Sequence, residues 1–218
     1  MRKIFVAFGL LLFISSCGED KTVEATESKE VKKIQTENTE VYNKVDPSSE
    51  LHWRASHLGG VGKRFGNFSL KSAEVLVNDG KITNARFVVD MNSITVENFK
   101  DDLKKKNKLT NHLKSADFFD VARHPTSIFE ITGIEPVDEG DFNSKITGNL
   151  KIKDISKSIS FKADVEVTED YVRIRSEDFS VNRQDWGINY NSEGTPGIPR
   201  DFLIDDEVGF RVDVKINK

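Results

Sequence analysis

The chain has 218 residues, of which 31% are charged, with 36 acidic against 32 basic side chains and a formal net charge of −4. A length of this order builds one domain with a sizeable core, and an acidic balance leaves out the basic face that nucleic acid asks for. A single cysteine excludes an internal disulfide.

The first 16 residues read as an export signal. Arg2 and Lys3 form a basic start, and the apolar run from Ile4 to Ile14 is too short to cross a bilayer, which takes about 20 residues. The run ends in Ile14-Ser15-Ser16-Cys17, which resembles the lipobox of bacterial lipoproteins. The expectation is that Cys17 is lipidated and becomes the N-terminus. Loss of residues 1–16 removes two basic and no acidic side chains, so the net charge goes from −4 to −6. Residues 17–46 are dominated by Glu, Lys, Thr, Ser and Asn. Too little of that stretch is apolar for it to fold alone, and it is predicted to be a flexible tether. Val31, Ile34 and Val41 are too sparse to predict a helix.

Residues 47–218 read as the folded domain. The hydrophobic period there is two: Phe87, Val89 and Met91; Ile146, Gly148, Leu150 and Ile152; Ile159, Phe161, Ala163, Val165 and Val167; Val208, Phe210, Val212, Val214 and Ile216. Strict alternation predicts strands with one apolar and one wet face. Turn residues separate them at Asn78-Asp79-Gly80, Asp138-Glu139-Gly140-Asp141 and Glu169-Asp170. Many such strands predict a mainly β fold, a sandwich or a closed barrel. One segment departs from the pattern: Phe99, Leu103, Leu109 and Leu113 fall on one stripe of an amphipathic helix predicted over Glu97 to Lys114. Its Lys104, Lys105, Lys106 and Lys108 read either as a solvated face or as contacts to lipid head groups.

Several stretches of this domain together resemble the YceI-like, lipocalin-like proteins described as polyisoprenoid-binding. They are Met91-Asn92-Ser93-Ile94, His112 to Asp120, His124-Pro125-Thr126 leading to Phe129, and Gly148 to Lys153 leading to Ser158-Ile159-Ser160-Phe161. Asn182-Arg183-Gln184-Asp185-Trp186-Gly187-Ile188 and Ile204 to Val208 follow in the same order, and Trp53, His57 and Gly59-Gly60 look like the opening of a lipoprotein subgroup. Asp154 and Asn182 depart from the glycine and the aspartate usual at those places. The resemblance implies an eight-stranded antiparallel barrel, partly covered by the helix, whose lumen holds a long isoprenoid, a quinone or a similar amphiphilic lipid. It also implies a place at the envelope of a Gram-negative-type bacterium, in the periplasm or facing the surface.

The energetics favour a long ligand. A buried methylene contributes about 0.8 kcal/mol, and association costs roughly 4–15 kcal/mol, so one isoprene unit barely binds while several in line do. The inward strand set expected to line the lumen is Phe87, Val89, Phe129, Ile131, Leu150, Ile152, Ile159, Phe161, Phe179, Phe210 and Val212, with Trp186 near a mouth and its N–H turned to something polar. Arg183 reads as a head-group contact or, more simply, as a side chain that fixes a strand end. The four histidines, His52, His57, His112 and His124, make no His-rich metal motif, and no phosphate loop or nucleophile elbow is present. The expectation is a non-enzymatic binding protein with neither cofactor nor metal; the alternative is a structural or interaction lipoprotein whose barrel is filled by its own side chains. Oligomeric state is left open.

Overall fold

The structure, a computed structural model, describes residues 21–32, 36–138 and 140–218. The expected signal segment 1–16 and Cys17 lie outside the described residues, as do Ile34 and Glu139.

Among the described residues thirteen strands form one sheet. They are β1 (Lys21–Thr22), β2 (Thr26–Glu27), β3 (Glu40–Tyr42), β4 (Lys44–Val45), β5 (Glu50–His57), β6 (Val61–Asn78), β7 (Lys81–Asp90), β8 (Thr126–Pro136), β9 (Ser144–Ile152), β10 (Ile155–Val167), β11 (Tyr171–Ser176), β12 (Phe179–Asn182) and β13 (Glu207–Asn217). From β5 to β10 each strand pairs antiparallel with the next. β11 and β12 both pair with β13, so they are one strand position broken at residues 177 and 178. β13 returns to β5 with Leu51 opposite Val212 and Trp53 opposite Phe210. The ring therefore closes on eight strand positions, as the resemblance implied, and closure removes the exposed edges of an open sheet.

The predicted helix is shorter than the hydrophobic stripe suggested: α1 runs over Leu103–Lys114. Residues before it are held extended along β6, because the amides of Thr95 and Glu97 donate to the carbonyls of Asn67 and Phe65. Gly66 permits this approach, since a Cβ there would lie 1.8 Å from the Thr95 carbonyl oxygen. The helix then starts at a cap, with the Asp102 side chain accepting from the Lys105 amide at 3.0 Å. Leu113 is buried, Phe99 and Leu109 pack partly against the core, and Leu103 is exposed.

The free tether predicted for residues 17–46 is corrected from Lys21 onward. β3 pairs with the far part of β6 and β4 with the end of β13, beyond the reach of β5. Tyr42 is buried, and its hydroxyl donates to the Thr168 carbonyl at 2.7 Å. Upstream, β1 pairs parallel with β12 and β2 pairs antiparallel with β10. β10 meets β11 only from Ala163 onward, so towards its start a seam separates it from β12, and residues 21–27 fill that seam. Val23 is buried there, its amide on the Ser180 carbonyl, and Asn149 brackets the backbone of Lys29 with its side-chain amide. Composition alone hid these contacts because each strand is two or three residues long, too short to show a period, and obtains its hydrogen bonds from strands distant in sequence.

The barrel has two unlike ends. At one, tight connections at residues 79–80 and 168–170 surround a plug of buried Tyr42, Val75, Val77, Ala85, Val172 and Ile216. At the other, residues 91–125, including α1, and residues 183–206 fold over the opening as a cap.

Candidate functional site

Between the plug and the cap the lumen is hollow. About 960 Å³ of space free of atoms, part of it open to solvent, is surrounded by inward side chains of β5 to β13. All eleven apolar residues expected to line a lumen sit on this wall: Phe87, Val89, Phe129, Ile131, Leu150, Ile152, Ile159, Phe161, Phe179, Phe210 and Val212. They converge because a strand presents every second residue to the same face. Among the described residues Ser127 is the one hydroxyl on the wall, and it donates to the Lys151 carbonyl at 2.7 Å, so its proton is already committed.

Four phenylalanines form a band around part of this wall. Phe129 of β8 meets Phe161 of β10 at 5.7 Å, Phe161 stacks on Phe179 of β12 at 4.6 Å, and Phe179 meets Phe210 of β13 at 6.0 Å between centroids. Gly148 makes room for the first ring, since a Cβ there would come within 2.4 Å of the Phe129 ring. The Phe161–Phe179 stack spans the seam that residues 21–27 cover from outside.

A second hollow of about 600 Å³ lies under the cap, lined by Trp53, Ala55, Ile94, Leu113, Phe118 and Ile188 among others. Phe68, Phe119, Ile152 and Phe210 border both spaces. Phe68 and Phe119 meet edge to face at 6.0 Å between centroids at the boundary of the two spaces. Along β13 the wall runs from Val208 to Val214, roughly 20 Å at the rise of a strand. Both spaces are lined mainly by apolar side chains, which suits a hydrocarbon better than a compact polar metabolite.

Two expected site residues have other tasks. Arg183 is buried at 4% exposure. Its Nε donates to the Asp205 carbonyl, Nη1 to the carbonyls of Ile188 and Tyr190, and Nη2 to the Ile204 carbonyl and to Asp206 Oδ1. All five guanidinium hydrogens are thus committed, and none is left for a head group. The side chain ties the two ends of the 183–206 segment together just ahead of β13, and burial pulls its pKa below the ordinary arginine value while Asp206 and Asp205 oppose the shift. Trp186 is fully buried rather than at a mouth; its indole N–H does find a polar partner, the Leu150 carbonyl at 3.0 Å. It borders the space beneath the cap. Asn182, one of the departures from the family pattern, still caps this turn by accepting from the Gln184 amide.

The alternation did not single out Leu51, Phe68, Leu70 and Ile174, which also face the main hollow. In β6 the register shifts between Leu70 and Ser72, so a strict period of two loses the inward set there. The histidines are held apart: His52 meets Asn67 and Glu50, His57 the Leu203 carbonyl, His112 Asp117, and His124 Asp154. Among the described residues no cluster of three or more His, Cys, Asp or Glu is placed to hold a metal ion, and no helix is long and apolar enough to cross a membrane.

Comparison with known proteins agrees with this architecture. The family model of the YceI-like domain matches residues 42–216. A UPF0312 protein of Azotobacter vinelandii is 30% identical over 129 residues, 56% of this chain and 59% of its own length, so the match spans about three fifths of that relative. A UPF0312 protein of Pseudomonas putida is 28% identical over 169 residues, 75% of this chain and 72% of its own. Among solved structures, BcnA of Burkholderia cenocepacia superposes with a TM-score of 0.57 at 18% identity, covering 79% of this chain and 99% of that one. A polyisoprenoid binding domain from Saccharophagus degradans superposes with a TM-score of 0.56 at 13% identity, covering 82% and 99%. At these identities the two structures speak for the fold alone.

Proposed function

Because the chain belongs to the YceI-like domain family, we propose that it is a binding protein, not an enzyme, whose barrel holds one long apolar lipid of the polyisoprenoid or quinone type for sequestration or transport at the cell envelope. The observation that carries this reading is the hollow itself: the same barrel that packs its far end leaves an open space lined mainly by aliphatic and aromatic side chains. A barrel that needed only a core would have filled that space, since interiors otherwise pack to the density of organic crystals. The lining suits a hydrocarbon tail because it offers dispersion contacts and almost no polar partner. The Saccharophagus neighbour, a polyisoprenoid binding domain, supports the same class of ligand. We further propose that Cys17 carries the lipid anchor and that the domain stands at a bacterial membrane, on the strength of the Ile14-Ser15-Ser16-Cys17 sequence.

Native mass spectrometry of the full chain, followed by organic extraction and lipid identification, tests the reading. The expected result is a co-purifying long-chain lipid, with acyl mass on Cys17 in the same spectrum. Repeated recovery of an empty barrel, after expression in a host that makes polyprenyl lipids and quinones, would overturn the binding function and leave the side-chain-filled scaffold.

A further inference from the structure

We infer that the capped end of the barrel is a docking face for an anionic phospholipid surface. The four most exposed large apolar side chains among the described residues are Leu103 at 68%, Phe202 at 63%, Val61 at 56% and Phe65 at 48%. Three segments present them, and backbone contacts bring those segments to one end. The β5–β6 hairpin carrying Val61 and Phe65 is tied to the 198–203 loop through the Leu58 amide on the Leu203 carbonyl. It is tied to the approach of α1 through the Phe65 amide on Asn98 Oδ1 and the Asn98 side-chain amide on the Lys63 carbonyl. Arg64 lies over the Phe99 ring at 5.0 Å, which joins the hairpin to the residues just before Leu103.

The three segments that carry these tips are locally basic, although the cap as a whole is nearly balanced in charge. In a chain of net −4, residues 58–65, 98–108 and 197–203 hold eight lysines and arginines against three aspartates. Lys105 pairs with Asp102 and Lys106 with Glu97, and Lys63, Lys100, Lys104, Lys108 and Arg200 are exposed around the apolar tips. Apolar side chains on separate tips, ringed by cations, match the boundary between acyl chains and anionic head groups. Beneath these tips lies the second hollow, whose outer wall is cap rather than barrel strand. Docking would set that space against the membrane from which an apolar tail comes. The inference rests on the lipid-binding reading for its purpose and on exposure and charge for its evidence.

Cys17 is the only cysteine, so the full chain with Cys17→Ser accepts a single environment-sensitive fluorophore at Leu103→Cys, Phe202→Cys or Glu169→Cys, the last at the plugged end. The first two positions are exposed and tolerate labelling without disturbing the core. On vesicles of equal parts phosphatidylglycerol and phosphatidylcholine, the probes at 103 and 202 should shift to the blue while the probe at 169 stays in water. The shift should fall away on phosphatidylcholine alone or at high salt. No shift at either cap position, an equal shift at all three, an undiminished shift on phosphatidylcholine, or a shift that needs only more protein and no vesicles (a second copy as the partner) would each overturn the inference. A failure here leaves a co-purified lipid standing, so the two readings are separable.

Discussion

Phe129, Phe161, Phe179 and Phe210 touch neighbours on their flanks and face the main hollow, whereas Trp186 has no solvent exposure, meets only the smaller space under the cap and holds the Leu150 carbonyl. That contrast predicts different costs of truncation. A close-packed Phe or Trp cut to Ala costs about 3–5 kcal/mol, because burial of the ring is forfeited and a cavity is left in its place. Trp186→Ala should fall in that range by urea unfolding. Phe179→Ala, whose ring borders a hollow that already exists, should cost less than about 3 kcal/mol and should mainly weaken uptake of a fluorescent hydrocarbon probe. Equal destabilisation by the two substitutions would mean that the lumen is packed. The eleven wall residues were legible in the sequence because period two fixes which face a side chain takes. The position of Trp186 was not, because it sits in a 3-10 turn (Arg183–Trp186) where no period applies; of the two readings open for Arg183, the enclosing carbonyls and Asp206 agree with the strand-fixing one.

Two- and three-residue strands do as much for this fold as the long ones. β1 and β2 occupy the seam between β12 and β10, and their contacts join residues more than a hundred positions apart: Thr22 to Ser180, Thr26 to Ser158, Glu27 to Lys157. The Glu27–Lys157 pair is exposed and adds little; the backbone bonds and buried Val23 hold the segment. Val23→Asp should therefore release residues 21–27 without unfolding the ring. Hydrogen exchange should accelerate at Lys157 and Ser158 and at Phe179 to Val181, while β8 and β9 keep their protection. Unchanged exchange along the seam would show that the segment is not needed there. The long strands and the barrel class were readable from alternation and turn residues. The start of α1 at Leu103 was not, because the stripe through Phe99 continues upstream where tertiary bonds from Thr95 and Glu97 hold the chain extended.

Across the whole molecule, closure of the ring is reinforced by carboxylate–guanidinium pairs on its outer face. Asp178 meets Arg211 and Arg54, which joins the break between β11 and β12 to β13 and β5. Arg173 holds Asp213 with two bonds of 2.8 Å across β11 and β13. The hydrogen bond from Arg211 lowers the pKa of Asp178, and that from Arg173 lowers the pKa of Asp213, each against a smaller cost of burial. A carboxylate whose folded pKa is depressed contributes stability above the ordinary value of 3.8 and loses it as pH falls through the folded value. Thermal melts should therefore hold level from neutral pH to about 5 and drop below about 4, with Asp178→Asn and Asp213→Asn flattening the drop; a wild-type midpoint unchanged down to pH 2 would contradict this. The stopper formed by Tyr42, Val75, Val77, Ala85, Val172 and Ile216 has a consequence for traffic. A tube sealed at its base cannot serve as a conduit from one side to the other. Under the binding function proposed above, a cargo that goes in tail first would back out the way it came, past the cap or the strand-filled seam, with an exchange rate set by the movement of the rim.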